Sequence, residues 1–256
     1  MMSVLSKCVM LNTAIQLGGY VMACLLQTEK FYDLFGSGTF TILAIQSLRW
    51  GGSMHLRQRI HTVISCLQTT RLGLFLFARI LHDGKDRRFN NVRNNPSTFF
   101  IYWFLQYIWV MVTTMPVTTV NATRQNLPLT KRDYIGWSLA IAGTIIESLA
   151  DYQKFTFKAD PVNADRFINI GLWRLCRHPN YLGEILHWTG MFIASTSVVK
   201  GRYFGYSLLS PLLVTFLLTR VSGIPILERI GMKKWGNDPQ YQQYLANTKK
   251  LIPYIW

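Results

Sequence analysis

Thr98-Phe-Phe-Ile-Tyr-Trp-Phe-Leu-Gln-Tyr-Ile-Trp-Val-Met-Val-Thr-Thr-Met-Pro-Val-Thr-Thr-Val120 runs for 23 residues without a charge and is dense in aromatic side chains. A bilayer core needs roughly 20 mostly apolar residues per helix, and this stretch meets that length. Outward from it, six more apolar stretches read as spans: 8–27, 38–55, 61–81, 134–150, 182–199 and 203–226. The expected fold is all-α, an integral membrane bundle of about seven transmembrane helices forming one membrane domain over residues 1–256. Composition agrees: charged residues make up 15% of the chain and hydrophobic ones 50%, where soluble domains average about 25% charged.

The net charge of +15 would suit a nucleic acid if the basic residues formed one stripe. Instead they fall between apolar blocks, where anionic lipid headgroups account for them, and no nucleic-acid-binding signature is present. Arg49, Arg71, Arg79 and Arg220 fall within spans. With these set aside, the gaps on one side carry fifteen Lys and Arg and those on the other carry eight. The basic side stays cytosolic, which puts the N-terminus outside (luminal) and the C-terminus in the cytosol. Cys8, Cys24, Cys66 and Cys176 are too dispersed for a disulfide framework or a metal site. Residues 8–27 read as a retained first helix, because no small-residue cleavage site follows Leu25-Leu-Gln27.

Chemistry is expected between Asp151 and Glu184. Glu147 and Asp151 are four apart and share a helix face. Two carboxylates there need donors: a ligand hydroxyl or amide, or the cations Lys154 and Lys158. Plain helix-end solvation beside those lysines is the simpler alternative. In Leu172-Trp-Arg-Leu-Cys-Arg-His-Pro-Asn-Tyr-Leu-Gly-Glu-Ile-Leu-His-Trp188, Pro179 stops any preceding helix and suits the first turn of the next. Asn180, Glu184 and His187 then lie on one side, and Gly183 leaves room for a ligand or a neighbouring backbone. Arg174, Arg177 and His178 stand at the mouth, where guanidinium groups suit phosphate; a basic loop touching lipid headgroups is the alternative. The tail from Tyr241 and Tyr244 to Trp256 reads as an interfacial segment or as a lid.

Arg177-His-Pro-Asn-Tyr-x-Gly-Glu184 followed by Trp188-x-Gly190 resembles the signature of the steroid 5α-reductase-like membrane reductases. Asp151-Tyr-Gln-Lys-Phe-x-Phe-Lys158, Arg220-Val-Ser-Gly-Ile-Pro-x-x-Glu228, Phe31-Tyr-Asp-Leu-Phe-Gly-Ser37, Arg71-Leu-Gly-Leu-Phe-Leu-Phe and Asp86-Arg-Arg-Phe89 look like its uncharacterised DUF1295 branch. The closing Ile252-Pro-Tyr-Ile-Trp256 is similar to the ending of the steroid reductases. The resemblance implies a seven-helix reductase of the endoplasmic reticulum, or of the inner membrane in a bacterium. It implies NADPH as cofactor and a small hydrophobic lipid with an activated C=C bond as substrate: steroid, sterol, polyprenol or enoyl compound.

By the same resemblance Asp151, Asn180 and Glu184 hold the cofactor, with Tyr181 inside the motif, and Arg71 approaches the phosphates from an earlier helix. Glu147 stands where those enzymes have an asparagine. Ile224 and Glu228 stand where they have a histidine and a tyrosine. The cofactor half is expected in 134–256 and the substrate side in 1–120. For the proton donor and carbonyl grip, Tyr32, Asp33 and His61 are the available side chains, and none stands on a matched motif. Membrane methyltransferases of the isoprenylcysteine carboxyl type share the Arg-His-Pro-x-Tyr turn, a later glutamate (Glu228 here) and a Tyr-x-x-Tyr tail, which makes S-adenosylmethionine the rival ligand. A non-catalytic lipid-binding membrane protein is the third reading.

Overall fold

The computed structural model describes residues 3–86, 89–163 and 165–256. Arg87 and Arg88, two of the basic residues counted for topology, lie outside that set. The chain folds into helices α1 (Val4–Leu25), α2 (Tyr32–Gly51), α3 (Leu56–Asp83), α4 (Pro96–Thr113), α5 (Met115–Ala122), α6 (Lys131–Ala159), α7 (Leu172–Leu175), α8 (Pro179–Ser195), α9 (Arg202–Phe216), α10 (Ile224–Trp235) and α11 (Pro239–Asn247). No strand occurs among the described residues.

Three helical stretches, Val4–Leu25, Leu56–His82 and Arg202–Trp235, are long and apolar enough to cross a membrane. The charge-free segment around Trp103 makes a fourth only as a bent pair, since α4 and α5 meet at 49°. The bend has a local cause. Thr114 Oγ1 donates to the Val110 carbonyl at 2.6 Å, and Pro116, near the start of α5, has no N–H to continue the ladder. The last stretch is also irregular: a π turn, Leu217–Val221, separates α9 from α10, and α10 begins after Gly223. The long connection expected at 151–181 is shorter in the fold, because α6 carries on to Ala159.

The chain divides into two compact units, Met1–Trp137 with Met191–Ser210, and Ser138–Gly190 with Pro211–Trp256. In the first, α2 packs on α1 and α3, and α4 on α1. Ala23, Phe89, Val92, Phe99 and Trp103 form an apolar cluster. Between helices in lipid there is no hydrophobic drive, so interhelical hydrogen bonds and close packing hold such units together. Gln106 Nε2 donates to Gln16 Oε1 at 3.0 Å, and Gln16 Nε2 donates to Thr39 Oγ1 at 3.2 Å. Asn121 Nδ2 donates to Ser47 Oγ at 2.9 Å and to Thr62 Oγ1 at 3.0 Å.

The firmest polar tie of this unit is an ion pair unforeseen in the sequence. Arg57 Nε donates to Asp133 Oδ1 at 2.7 Å, with the two side chains 4% and 0% exposed. Arg57 also donates to the Leu127 and Pro128 carbonyls. Asp133 accepts from Thr130 N–H, Thr130 Oγ1 and Ser197 Oγ. Burial alone would raise the Asp133 carboxyl, but these donors hold it below its ordinary value. Arg57, one of the eight basic residues counted on the luminal side, is therefore a buried strut.

Candidate functional site

The second unit is built on a close crossing of α6 and α8. A Cβ added to Gly183 would lie 2.6 Å from the Glu147 amide nitrogen and 2.6 Å from the Gly143 carbonyl oxygen. Only backbones without a Cβ approach like this. Gly183, expected to admit a ligand or a neighbouring backbone, admits the backbone. Trp173 on α7 packs with Ala150 and Ile168 and donates Nε1–H to the Ala150 carbonyl at 3.0 Å. Gln153 Oε1 accepts the Leu172 amide at 2.9 Å. These contacts tie the α7–α8 turn to the flank of α6.

α8 starts at Pro179 as the sequence implies. Asn180 Nδ2 donates to Asp151 Oδ1 at 3.2 Å. Glu147 and Asp151, one turn apart on α6, are both buried. Glu184 follows Asn180 by one turn and is half-buried. His187 is drawn inward, its Nδ1 3.0 Å from Thr144 Oγ1. Three buried polar atoms at the opening of α8 have no hydrogen-bond partner among the described residues: Arg177 Nε, His178 Nδ1 and Asn180 Oδ1. Buried polar groups are almost always paired, so three within four residues make this turn the candidate site.

Arg177 and His178 do not face outward as phosphate-binding cations. Arg177 Nη1 donates to Glu228 Oε2 at 2.7 Å, and His178 Nε2 sits 3.0 Å from Glu228 Oε1. Tyr181 stacks on His178 with centroids 5.7 Å apart. The C-terminal segment straps this turn: the Arg177 amide donates to the Lys249 carbonyl at 2.9 Å, and Tyr244 Oη donates to the Trp173 carbonyl at 2.6 Å. Burial pushes the Cys176 thiol up to about 11, so it is an inert thiol.

The remaining expected residues scatter. Lys158 is away from the carboxylates; its Nζ donates to the Arg166 carbonyl at 2.6 Å and lies 5.3 Å from the Trp235 ring. Arg174 is exposed on α7, and Arg220 is exposed in the π turn. Arg71 is half-buried in the middle of α3 and belongs to the other unit. Of the side chains considered for proton donation, Tyr32 Oη donates to the Tyr102 carbonyl at 2.8 Å. Asp33 lies 3.8 Å from Arg79. His61 is fully buried and receives Trp137 Nε1–H on its Nδ1 at 3.1 Å. Each of the three thus has a partner of its own within the first unit.

A model of the family DUF1295, described as a protein of unknown function, matches residues 19–248. The chain belongs to the DUF1295 family. No curated protein and no solved structure matches it. The matched range spans α2 to α11, so it includes the α6–α8 crossing and Glu228.

Within the first unit, a mainly apolar cavity of about 300 Å³ opens between α1 and α4. Leu17, Tyr20, Phe100, Phe104 and Tyr107 line it, with Gln16 as a polar group. Nothing in the sequence marks it, because its walls come from stretches 80 residues apart that each read simply as span.

Proposed function

We propose that this DUF1295 protein is a membrane oxidoreductase that uses NADPH to reduce an activated C=C bond of a lipid substrate. The observation that carries the reading is the Asp151–Asn180 pair at the opening of α8, with a buried Asn180 carbonyl oxygen left for a ligand. The donor set fits the neutral parts of a nicotinamide nucleotide. Asn180 Oδ1 accepts an amide or hydroxyl hydrogen, and the carboxylates of Glu147, Asp151 and Glu184 accept ribose hydroxyls or a carboxamide. Exposed Arg174 is a cation for the phosphates. NADPH supplies the hydride. The protein's part is to orient the cofactor and to exclude water from the reacting face. The apolar cavity between α1 and α4 supports a lipid as substrate, steroid, sterol, polyprenol or enoyl compound, with the substrate side proposed among residues 1–120. Tyr32, Asp33 and His61 are not proposed as proton donors.

The same proposal extends to topology: seven spans, N-terminus outside and C-terminus cytosolic, in the endoplasmic reticulum or a bacterial inner membrane. One observation favours a second reading. Glu228 grips Arg177 and His178 beside Tyr241 and Tyr244, the elements that a membrane methyltransferase would bring to S-adenosylmethionine. Thermal-shift titration of the detergent-purified protein with each cofactor separates them. Stabilisation by NADPH that is lost in Asp151→Asn supports the reductase. A shift with S-adenosylmethionine alone overturns it in favour of the methyltransferase, and no shift with either leaves the lipid-binding protein.

A further inference from the structure

Glu228 and Asp151 do the same thing to two different neighbours. Glu228 spans Arg177 Nη1 at 2.7 Å and His178 Nε2 at 3.0 Å. A carboxylate held that tightly by a guanidinium is ionised and can only accept. The imidazole proton must therefore sit on Nε2. The other ring nitrogen, Nδ1, is buried and has no partner among the described residues. A proton there would leave a buried N–H without an acceptor, in a residue only 5% exposed. Burial, with Lys154 and Arg177 adding to it, holds His178 below its ordinary value against the pull of Glu228. The ring is neutral and Nδ1 is a bare lone pair. Asp151 accepts the Asn180 amide N–H, which leaves the Asn180 carbonyl oxygen for a ligand.

We propose that Glu228 is a positioning residue that fixes His178 as a hydrogen-bond acceptor, so that His178 Nδ1 and Asn180 Oδ1 receive hydroxyl or amide hydrogens from the neutral part of a ligand. No phosphate lodges at His178, because a lone pair and a phosphate oxygen repel. This replaces the expectation that Arg177 and His178 form a phosphate mouth, and it takes Glu228 out of direct contact with the cofactor. The identity of the ligand rests on the nucleotide reading; the state of His178 does not.

The experiment uses the full chain in nanodiscs, labelled with 15N-histidine, with the His178 signals assigned by their loss in His178→Gln. The expected result at neutral pH is an unprotonated, pyridine-type Nδ1 and a protonated Nε2, with this preference lost in Glu228→Gln. Adding NADPH should move the Nδ1 signal, while inorganic pyrophosphate alone should leave it in place. Glu228→Gln should weaken NADPH binding about tenfold, the loss of one well-placed hydrogen bond. A protonated Nδ1 in the ligand-free protein overturns the proposal, whatever the cofactor. So does a pyrophosphate response equal to that of NADPH. If Nδ1 is bare but NADPH does not bind, the role of Glu228 is upheld and the nucleotide reading fails.

Discussion

Gly183→Ala puts one methyl group into the α6–α8 crossing. The new Cβ would stand 2.6 Å from the Glu147 nitrogen, 2.6 Å from the Gly143 oxygen and 2.8 Å from Glu147 Cβ. Two of those three neighbours are backbone atoms that cannot rotate away, so the helices must separate. Overpacking of this kind costs about 1–3 kcal/mol, and backbone neighbours set this site at the upper end. Alanine regains up to about 1 kcal/mol of helix propensity over glycine. The net expectation is a loss of about 2 kcal/mol, or roughly 4–8 °C in melting temperature for a domain of this size. Separation also stretches the 3.2 Å Asn180–Asp151 bond, so ligand affinity should fall with stability. Gly205→Ala in α9 is the control, since nothing lies within 4 Å of its added Cβ; it should stabilise by up to about 1 kcal/mol. Unfolding in a detergent titration reads both variants. A Gly183→Ala protein at least as stable as Gly205→Ala would refute the close crossing.

Two further perturbations follow from the buried charges. Arg57→Met leaves Asp133 buried and unpaired and should cost about 3–5 kcal/mol, whereas Arg57→Met with Asp133→Leu should recover most of that loss; a detergent unfolding series checks both, and a mild single variant contradicts the strut. His178 is held below its ordinary value of 6.5, so below that pH the unfolded chain takes up a proton that the folded chain refuses. Its contribution is complete above about pH 6.5 and is lost as pH falls toward the folded value, by up to about 1.4 kcal/mol per pH unit. Melting temperature should therefore drop on acidification from pH 7.5 to 5.5, and drop less steeply in His178→Gln; equal slopes would contradict the buried neutral ring.

Much of the helical layout was legible because apolar length is a local signal. The segment from Thr98 to Val120 read correctly as apolar, yet its 49° bend depends on a Thr114 back-bond that composition does not reveal. The onset of α8 at Pro179 was legible from proline's missing N–H. The charge pairs were not. Arg57 meets Asp133 across 76 positions and Arg177 meets Glu228 across 51, and a single sequence carries no sign of such partners. Arg177 and His178 therefore looked like free cations at a mouth, when a distant carboxylate had already claimed them. Gly183 was recognised as a place of close approach, but its partner Gly143 was invisible without the crossing.

The central claim, that the opening of α8 holds a nicotinamide nucleotide through Asn180 and Asp151, is tested most directly by titrating NADPH fluorescence with the protein in nanodiscs, wild type against Asn180→Asp. The substitution is nearly isosteric, but it sets a second carboxylate against Asp151 and removes the amide that orients the site. Saturable binding by the wild type, weakened at least tenfold in Asn180→Asp at a temperature where both proteins remain folded, is the expected result. Equal affinity in the two proteins, or no binding by the wild type, would contradict it.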